Sequence, residues 1–277
     1  MICFRHVSHS YSRPNGQRKL ALKEINLCIP PGSFTAIIGP NNSGKSTLAK
    51  ILSGLIAPSF GQFLFEDLEI SQWSPNSLRK SIGLIFPNPE DQIVFPTVEE
   101  DLAFGLENFC FDPGQIEKRV LDILEFIGMR EYRHFSIHQL SGGQKQKLAI
   151  ASMLILGLRY VIFDEPTSFL DDTSREEILT LIRKIHKRGA TVIYMAQFFE
   201  EIIMADTIVA LVNGKIQWQG SFAELLQKSD QMVNWGIEAP PVIQLVNRLQ
   251  KSGLTLPHSI HTVKQLVDAL RKIKYEN

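Results

Sequence analysis

The stretch Gly39-Pro40-Asn41-Asn42-Ser43-Gly44-Lys45-Ser46-Thr47 constrains this chain more than any other. It has the form G-x-x-x-x-G-K-[ST]. The apolar run Phe34-Thr35-Ala36-Ile37-Ile38 before it suits a buried parallel strand, and Leu48 to Gly54 after it reads as a short helix closed by glycine. Strand, glycine-rich loop and helix in that order make a phosphate-binding P-loop in its required context. Backbone N–H groups of such a loop point inward and cradle phosphate oxygens, helped by the positive end of the helix dipole. Lys45 is placed to reach the β- and γ-phosphates of a nucleoside triphosphate, and the Ser46 hydroxyl to take a position on Mg²⁺. A chance glycine-rich turn rarely carries the whole pattern with both flanks correct.

At 277 residues the chain is long enough for one large or two modest domains. Lys and Arg number 29, as do Asp and Glu, so charge points neither to nucleic acid nor to an anionic membrane surface. Cys3, Cys28 and Cys110 lie far apart without metal or redox spacing, and an odd, sparse count suits a reducing cytosol. No run approaches the roughly 20 apolar residues of a spanning helix, and the N-terminus lacks a signal-peptide pattern. Work at a membrane would need another subunit to hold the chain there.

Residues 2–29 predict short antiparallel strands with a turn signal at Pro14-Asn15-Gly16. Tyr11 stands in a polar, turn-prone stretch, where an aromatic can stack on a nucleobase, although plain packing is the commoner role of a lone aromatic. Strands are expected at Gly61–Phe65 and Ile82–Phe86, with Pro87-Asn88-Pro89 ending regular structure because proline cannot donate to a ladder. Thr97 with Glu100 forms a capping box for a helix from Val98 to Gly105. Asp112-Pro113 starts a second helix, with Ile116, Val120, Ile123, Leu124 and Ile127 at helical spacing and a stop at Gly128. Residues 88–150 therefore read as a helical insertion between two strands of the nucleotide-binding sheet.

Leu140-Ser141-Gly142-Gly143-Gln144 precedes a further helix, and such a terminus is either a second anion site or an ordinary cap. Tyr160-Val161-Ile162-Phe163-Asp164-Glu165 is an apolar strand ending in two carboxylates. In P-loop proteins that position assigns Asp164 to Mg²⁺, directly or through water, and leaves Glu165 to orient or deprotonate the attacking water. Ser168-Phe169-Leu170-Asp171 is a turn, and Thr173 with Glu176 is expected to cap the next helix. A strand at Ala190–Met195 runs into Ala196-Gln197, and two short strands follow around 207–212 and 215–218. The tail predicts helices from Val242 to Ser252 and from Thr262 to Ile273, the second with Val263, Leu266, Val267, Leu270 and Ile273 on one face. A tail this short seldom folds alone. Spacing leaves open whether it packs on its own body or on a partner.

The P-loop, the LSGGQ cap, the strand ending Asp-Glu and the Ser-x-Leu-Asp turn fall in order over residues 2–225, and in this the chain resembles the ATP-binding subunits of ABC transporters. Asn88–Val94 leading into Thr97–Gly105, and the tail Gly236–Val242 with Leu249–Gly253, resemble more closely the ATPase subunits of energy-coupling factor importers for vitamins and metal ions. The resemblance implies an α/β P-loop NTPase fold of the ABC ATPase type: a RecA-like core with an N-terminal antiparallel β subdomain and an inserted helical subdomain. It implies an ATP-binding domain over residues 1–225, its helical subdomain about 88–150, and a C-terminal helical extension over 226–277.

The ligands it implies are ATP and Mg²⁺. Tyr11 would stack on adenine, while Gly39, Asn41, Asn42, Ser43, Gly44, Lys45, Ser46 and Thr47 hold the phosphates. Ser46 and Asp164 would sit on Mg²⁺. Ser141, Gly142, Gly143 and Gln144 would contact the γ-phosphate bound in another subunit, because ATPases of this kind close head to tail as dimers. The implied partners are a second ABC ATPase subunit, paralogue or second copy, an integral membrane coupling subunit and a separate substrate-binding membrane protein. No nucleic acid is implied, and the expected place is the cytoplasmic face of the membrane.

Three positions depart from the family's pattern. Asn42 replaces a glycine, and asparagine is the least costly alternative if the loop needs a positive φ there. Pro87 stands where the family has a glutamine that touches Mg²⁺ and the attacking water. Gln197 stands where it has a histidine beside the γ-phosphate. Glu165 remains as the catalytic carboxylate, with Gln197 as its weakened companion. The expectation is a site that binds ATP, turns it over slowly and belongs to one half of a heterodimer. The alternative is a nucleotide-binding structural or regulatory half with little turnover of its own.

Overall fold

The computed structural model describes residues 1–12, 16–257 and 260–276, so Pro14-Asn15 of the expected turn signal lies outside the described residues. The first strands, β1 (Ile2–Ser12) and β2 (Arg18–Ile29), pair antiparallel with Tyr11 opposite Lys19. The register also sets Cys3 opposite Cys28, and their sulfurs are joined in a disulfide. Sequence spacing gave no sign of this pair, because strand pairing brings together residues that are 25 apart in sequence. Cys110 is a free, exposed thiol.

β3 (Phe34–Ile38) follows, then α1 (Lys45–Leu52), β4 (Phe60–Phe65), β5 (Leu68–Glu69), α2 (Pro75–Arg79) and β6 (Ile82–Ile85). Between β6 and β7 (Tyr160–Asp164) stand α3 (Val98–Asn108), α4 (Pro113–Ile127) and α5 (Gly142–Leu154). The remaining elements are α6 (Asp172–Lys187), β8 (Thr191–Met195), β9 (Thr207–Val212), β10 (Lys215–Gly220), α7 (Phe222–Leu226), α8 (Ser229–Asn234), α9 (Pro241–Lys251) and α10 (Val263–Glu276).

Two sheets result. The smaller is ordered β2-β1-β4-β5 and the larger β10-β9-β3-β8-β7-β6. β3, β8, β7 and β6 run parallel and are buried throughout, which is why each reads as an unbroken apolar run. β7 shows how the large sheet divides the core. Tyr160 and Ile162 face the layer shared with β1, β4 and α1, while Val161 and Phe163 face the layer shared with the helices. Asp164 ends the strand, and the chain's acidic pair emerges at the carboxyl edge of the sheet beside the loop that follows β3.

Local chemistry sets the helix ends. Thr97 Oγ1 accepts from the Glu100 N–H, Asp112 Oδ1 accepts from the Gly114 N–H ahead of Pro113, and Gly128 closes α4 at φ 69°. Among the boundaries that differ from the sequence reading, two bear on the site. α1 begins at Lys45, so Lys45 and Ser46 occupy its first turn. α6 is capped by Asp171, whose Oδ1 accepts from the Ser174 N–H at 2.8 Å, instead of by Thr173; aspartate is among the strongest N-cap residues and comes first along the chain.

The start of the tail joins the main core through Leu226, Met232, Ile237, Ala239 and Ile243, and Trp235 stacks on Trp218 of β10 at 6.4 Å. Val246, Leu256, Ile260 and Leu266 form a separate small cluster between α9 and α10. The tail up to Ile243 thus packs on its own body, and α10 packs on α9. Of the residues counted on the apolar face of α10, the side chain of Ile273 lies outside the described residues.

Candidate active site

β3 delivers the chain to Gly39, where a Cβ would overlap the carbonyl oxygen of Leu211 in β9. Only glycine fits. Asn42 has φ 63° and Gly44 has φ 109°, so asparagine takes the left-handed conformation expected of it. Left-handed residues on either side of Ser43 give the alternation from which N–H nests for anions are built. A Cβ on Gly44 would lie 2.9 Å from the Ala21 carbonyl oxygen. The loop is braced from outside by the β9–β10 hairpin turn: the Gly214 N–H donates to the Ser43 carbonyl at 2.8 Å, and the Lys23 N–H donates to the Gly214 carbonyl at 2.7 Å.

From the first turn of α1, Lys45 Nζ donates to the carbonyls of Gly39 at 2.8 Å and Pro40 at 3.3 Å, and lies 3.1 Å from Glu165 Oε1. Ser46 Oγ donates to Asp164 Oδ1 at 3.2 Å. Asp164 is 2 % exposed. Burial pushes its carboxyl up from 3.8 to about 6; the Ser46 hydrogen bond opposes this, and the neighbouring Glu165 charge reinforces it. Glu165 has φ 48°, held by its N–H donating to the Met195 carbonyl at 3.1 Å and by Ser168 Oγ donating to its own carbonyl at 2.9 Å. A non-glycine residue in that region costs about 1–3 kcal/mol and persists where its surroundings over-determine it.

Tyr11, Asn41, Asn42, Gly44, Lys45, Ser46, Thr47 and Glu165 line one open cavity of ≈ 610 Å³. The Tyr11 hydroxyl donates to Thr47 Oγ1 at 3.4 Å, its ring meets His9 edge-on, and it stays 40 % exposed. A half-exposed aromatic tethered to the loop helix is available for stacking. Lys19, Lys23, Asn213 and Gly214 line the same cavity and went unnoticed in the sequence. The Asn213-Gly214 pair between two strands is nonetheless the signature of a type I′ hairpin turn.

Gln197 opens on a second cleft, ≈ 530 Å³, on the other side of the loop. Asn41 and Lys45 belong to both clefts, and the far wall is Gly236 to Pro241 of the tail. Gly236 stands so close to Pro40 that a Cβ on it would touch that ring at 3.6 Å. No sequence signal joined this wall to the phosphate loop.

Ser141 to Gln144 line neither cleft. They form a closed capping box, with the Gln144 N–H donating to Ser141 Oγ at 3.3 Å and the Ser141 N–H to Gln144 Oε1 at 2.8 Å. A Cβ on Gly143 would lie 2.7 Å from Ser174 Oγ, so this glycine lets the starts of α5 and α6 meet. The chain has one phosphate loop and, at a distance from it, a second helix N-terminus of phosphate-binding form.

The ABC transporter family profile matches residues 22–168. The chain belongs to the ABC transporter ATPases. It is 38 % identical over 273 residues to the energy-coupling factor transporter ATP-binding protein EcfA1 of Caldanaerobacter subterraneus subsp. tengcongensis, covering 97 % of this chain and 98 % of the relative. It is 40 % identical over 259 residues to EcfA of Methanosarcina acetivorans, covering 93 % and 92 %. Among solved structures, cbiO1 of Clostridium perfringens, described as part of the ABC transporter complex cbiONQ, superposes with a TM-score of 0.74 at 31 % identity, covering 89 % of this chain and 98 % of that one. The dimeric ATP-binding cassette MJ0796 bound to ADP and Pi superposes with a TM-score of 0.72 at 26 % identity, covering 80 % and 98 %.

ATPases of this family bind ATP, generally with Mg²⁺, and the donor set here suits the ion. The Ser46 hydroxyl and the Asp164 carboxylate are hard oxygen donors already within hydrogen-bond reach of each other. A divalent cation there would also offset the burial that favours protonated Asp164. In this ABC ATPase the chain after β6 is tied to α5: the Gln146 Nε2 donates to the Phe86 carbonyl at 3.4 Å, Gln92 Nε2 to the Ala149 carbonyl at 3.0 Å, and Lys145 pairs with Glu90 at 2.6 Å. Pro87 sits in this tied segment and brings neither a side-chain donor nor an N–H.

Proposed function

We propose that this ABC ATPase is the ATP-hydrolysing motor of an energy-coupling factor importer for a vitamin or metal ion, peripheral at the cytoplasmic face of the membrane. Its partners are a second ATPase, an integral coupling subunit and a separate substrate-binding membrane protein. The single observation that carries the reading is the spatial separation of the phosphate loop from the Ser141–Gln144 cap. A loop without a cap in its own cavity, and a cap without a phosphate loop, complement each other across two subunits. The division of labour expected from the sequence is part of the proposal: an ATP-binding body over 1–225, its helical part about 88–150, and the extension 226–277.

In this reading Tyr11 stacks on adenine, and Gly39 and Asn41 to Thr47 hold the phosphates. Lys45 neutralises the β- and γ-oxygens, and Ser46 with Asp164 holds Mg²⁺. The ion, when bound, neutralises charge on the β- and γ-phosphate oxygens. Glu165 accepts a proton from the attacking water or orients it, while Gln197 offers a neutral hydrogen bond from the opposite cleft. A neutral amide in place of a cationic partner, and Pro87 in place of a polar side chain, leave developing charge less compensated. Losing one such donor typically costs about 10²–10³ in rate. The chain's own site is therefore slow, and its strongest catalytic contribution is the Ser141–Gln144 cap closing over a partner's nucleotide.

The test is MgATP hydrolysis by the purified chain alone and by the chain with its partner ATPase, with E165Q introduced into this chain only. The proposal expects slow turnover alone, fast turnover in the complex, and little loss from E165Q in the complex. Fast turnover by the chain alone, abolished by E165Q, would show an intact homodimeric motor and overturn the weak-site reading.

A further inference from the structure

The most deeply buried charge that the nucleotide site leaves unused is Glu201, which is 0 % exposed. Its Oε2 accepts from the backbone N–H groups of both Gln197 and Phe198 at 3.0 Å, and its Oε1 accepts from the Thr167 hydroxyl. Thr167 Oγ1 is in turn 3.4 Å from the Tyr194 hydroxyl. Burial pushes the Glu201 carboxyl up, and the Thr167, Phe198 and Gln197 donors act against that. Glu201 thus joins the loop after β8, which carries Gln197, to the residue that opens the turn before α6.

A second tie runs between the same two segments. The Arg175 guanidinium lies over the Phe198 ring, 4.2 Å from its centroid, while its Nη2 donates to the Leu170 carbonyl at 3.4 Å. At its near end the turn is fastened to the catalytic carboxylate residue by Ser168 Oγ donating to the Glu165 carbonyl. At its tip Phe169 is 75 % exposed. One loop faces the cleft beside Lys45, the other carries an exposed aromatic, and a buried carboxylate and a half-buried guanidinium–ring contact join them.

Filling the core does not require this chemistry. A buried charged cluster is often matched or bettered in stability by apolar side chains of the same volume. What the carboxylate supplies and a leucine does not is direction: it fixes two successive N–H groups of the Gln197 loop relative to Thr167. Such networks exceed the sum of their pairwise contacts and respond as a unit.

We propose that Glu201 and Arg175 are positioning residues that make the Gln197 loop and the 167–171 turn move as one body, so that a nucleotide in the cleft beside Lys45 sets the position of Phe169. The inference rests on the proposed ATPase reading for the identity of that ligand. It adds a route from the γ-phosphate side of the site to an exposed tip on a separate segment.

The experiment uses the full chain carrying F169W as a fluorescent reporter, with the unsubstituted chain as background, and MgATP as the probe. Emission at position 169 is expected to change on MgATP addition. E201A should reduce that change and the turnover number by about tenfold or more, with the ATP dissociation constant and KM within about threefold. E201Q keeps one oxygen for the two N–H groups and an amide for Thr167, and should restore both readouts to within about threefold of the parent chain. R175A, which leaves the carboxylate network intact, provides the second variant should E201A not fold, and should weaken the signal in the same direction.

E201A or R175A lowering the melting temperature while leaving emission change and turnover intact would mean plain core structure and overturn the proposal. So would a chain that binds MgATP with no response at position 169. A chain that binds no MgATP at all fails the ATPase reading itself, and is told apart by nucleotide titration before any variant is made.

Discussion

Lys45 Nζ stands 3.1 Å from Glu165 Oε1 and 2.8 Å from the Gly39 carbonyl, so one ammonium group links the phosphate loop to the carboxyl end of β7. Truncating it removes the cation that meets phosphate charge and leaves Glu165 without its partner. A hydrogen bond to a charged group is worth about 1.5–3 kcal/mol, so K45A should weaken ATP binding by about 10- to 100-fold. E165Q should leave binding nearly unchanged and lower this site's hydrolysis by about 10²–10⁴. Nucleotide titration and phosphate release by the same preparations separate the two effects.

Asp164 makes stability and ligand binding respond to pH in opposite senses. Its folded-state carboxyl titrates at about 6, above the ordinary 3.8. The raised value means its favourable contribution is complete below pH 3.8 and is lost as pH rises through 6, up to about 3 kcal/mol for a shift of this size. D164N removes that loss, so the variant should be the more stable protein at pH 8 and should lose the advantage by pH 4. Mg²⁺-dependent nucleotide binding needs the ionised form, so wild-type affinity should fall as pH drops below about 6, whereas D164N should bind Mg²⁺-nucleotide weakly at every pH. Denaturant titrations at the two pH values, with MgATP titrations beside them, check both.

Position 42 tests the loop's backbone. At φ 63° a β-branched side chain is penalised by about 1–2 kcal/mol. N42V should lose about that much stability together with nucleotide affinity, while N42G should lie within a few tenths of a kcal/mol of the parent. Equal urea midpoints for N42V and N42G would refute a strain account of this residue.

The weak-site proposal is reversible by design. Q197H returns a side chain able to become cationic in the second cleft, and P87Q returns a polar group after β6. Together they should raise turnover of the chain alone by at least about tenfold, the low end of what a restored transition-state donor gives. Their separate effects need not add, because groups acting on one phosphate work as a unit. Unchanged turnover in the doubly substituted chain would mean that the slow step lies elsewhere.

Much of the site was legible before any coordinates because its chemistry is local. The order of β3, glycine-rich loop and α1, the apolar run into Asp164 and Glu165, and the Ser141–Gln144 cap each occupy fewer than about 20 contiguous residues, the length over which propensity, turn residues and capping act. Asn42 was readable for the same reason, since a left-handed position accepts few residues. Local signals fail where two compete at close range: Thr173 and Asp171 both offer caps to α6, and which of them closes on a backbone N–H is fixed by the path of the turn before it.

Pairing across the fold decided the rest. Register along β1 and β2 made Cys3 and Cys28 partners. Close approach of β9, β10 and the tail put Gly214 under Ser43 and the 236–241 segment beside Pro40, about 170 and 200 residues away along the chain. Burial gave Asp164 its raised carboxyl and made Glu201 the tie between two loops. The sequence by itself determined the family, the phosphate loop and the acidic pair, because each is written in adjacent residues. Only the tertiary structure decided what braces that loop, what walls its second cleft and which buried carboxylate steers Gln197, because those contacts depend on distances that chain order does not contain.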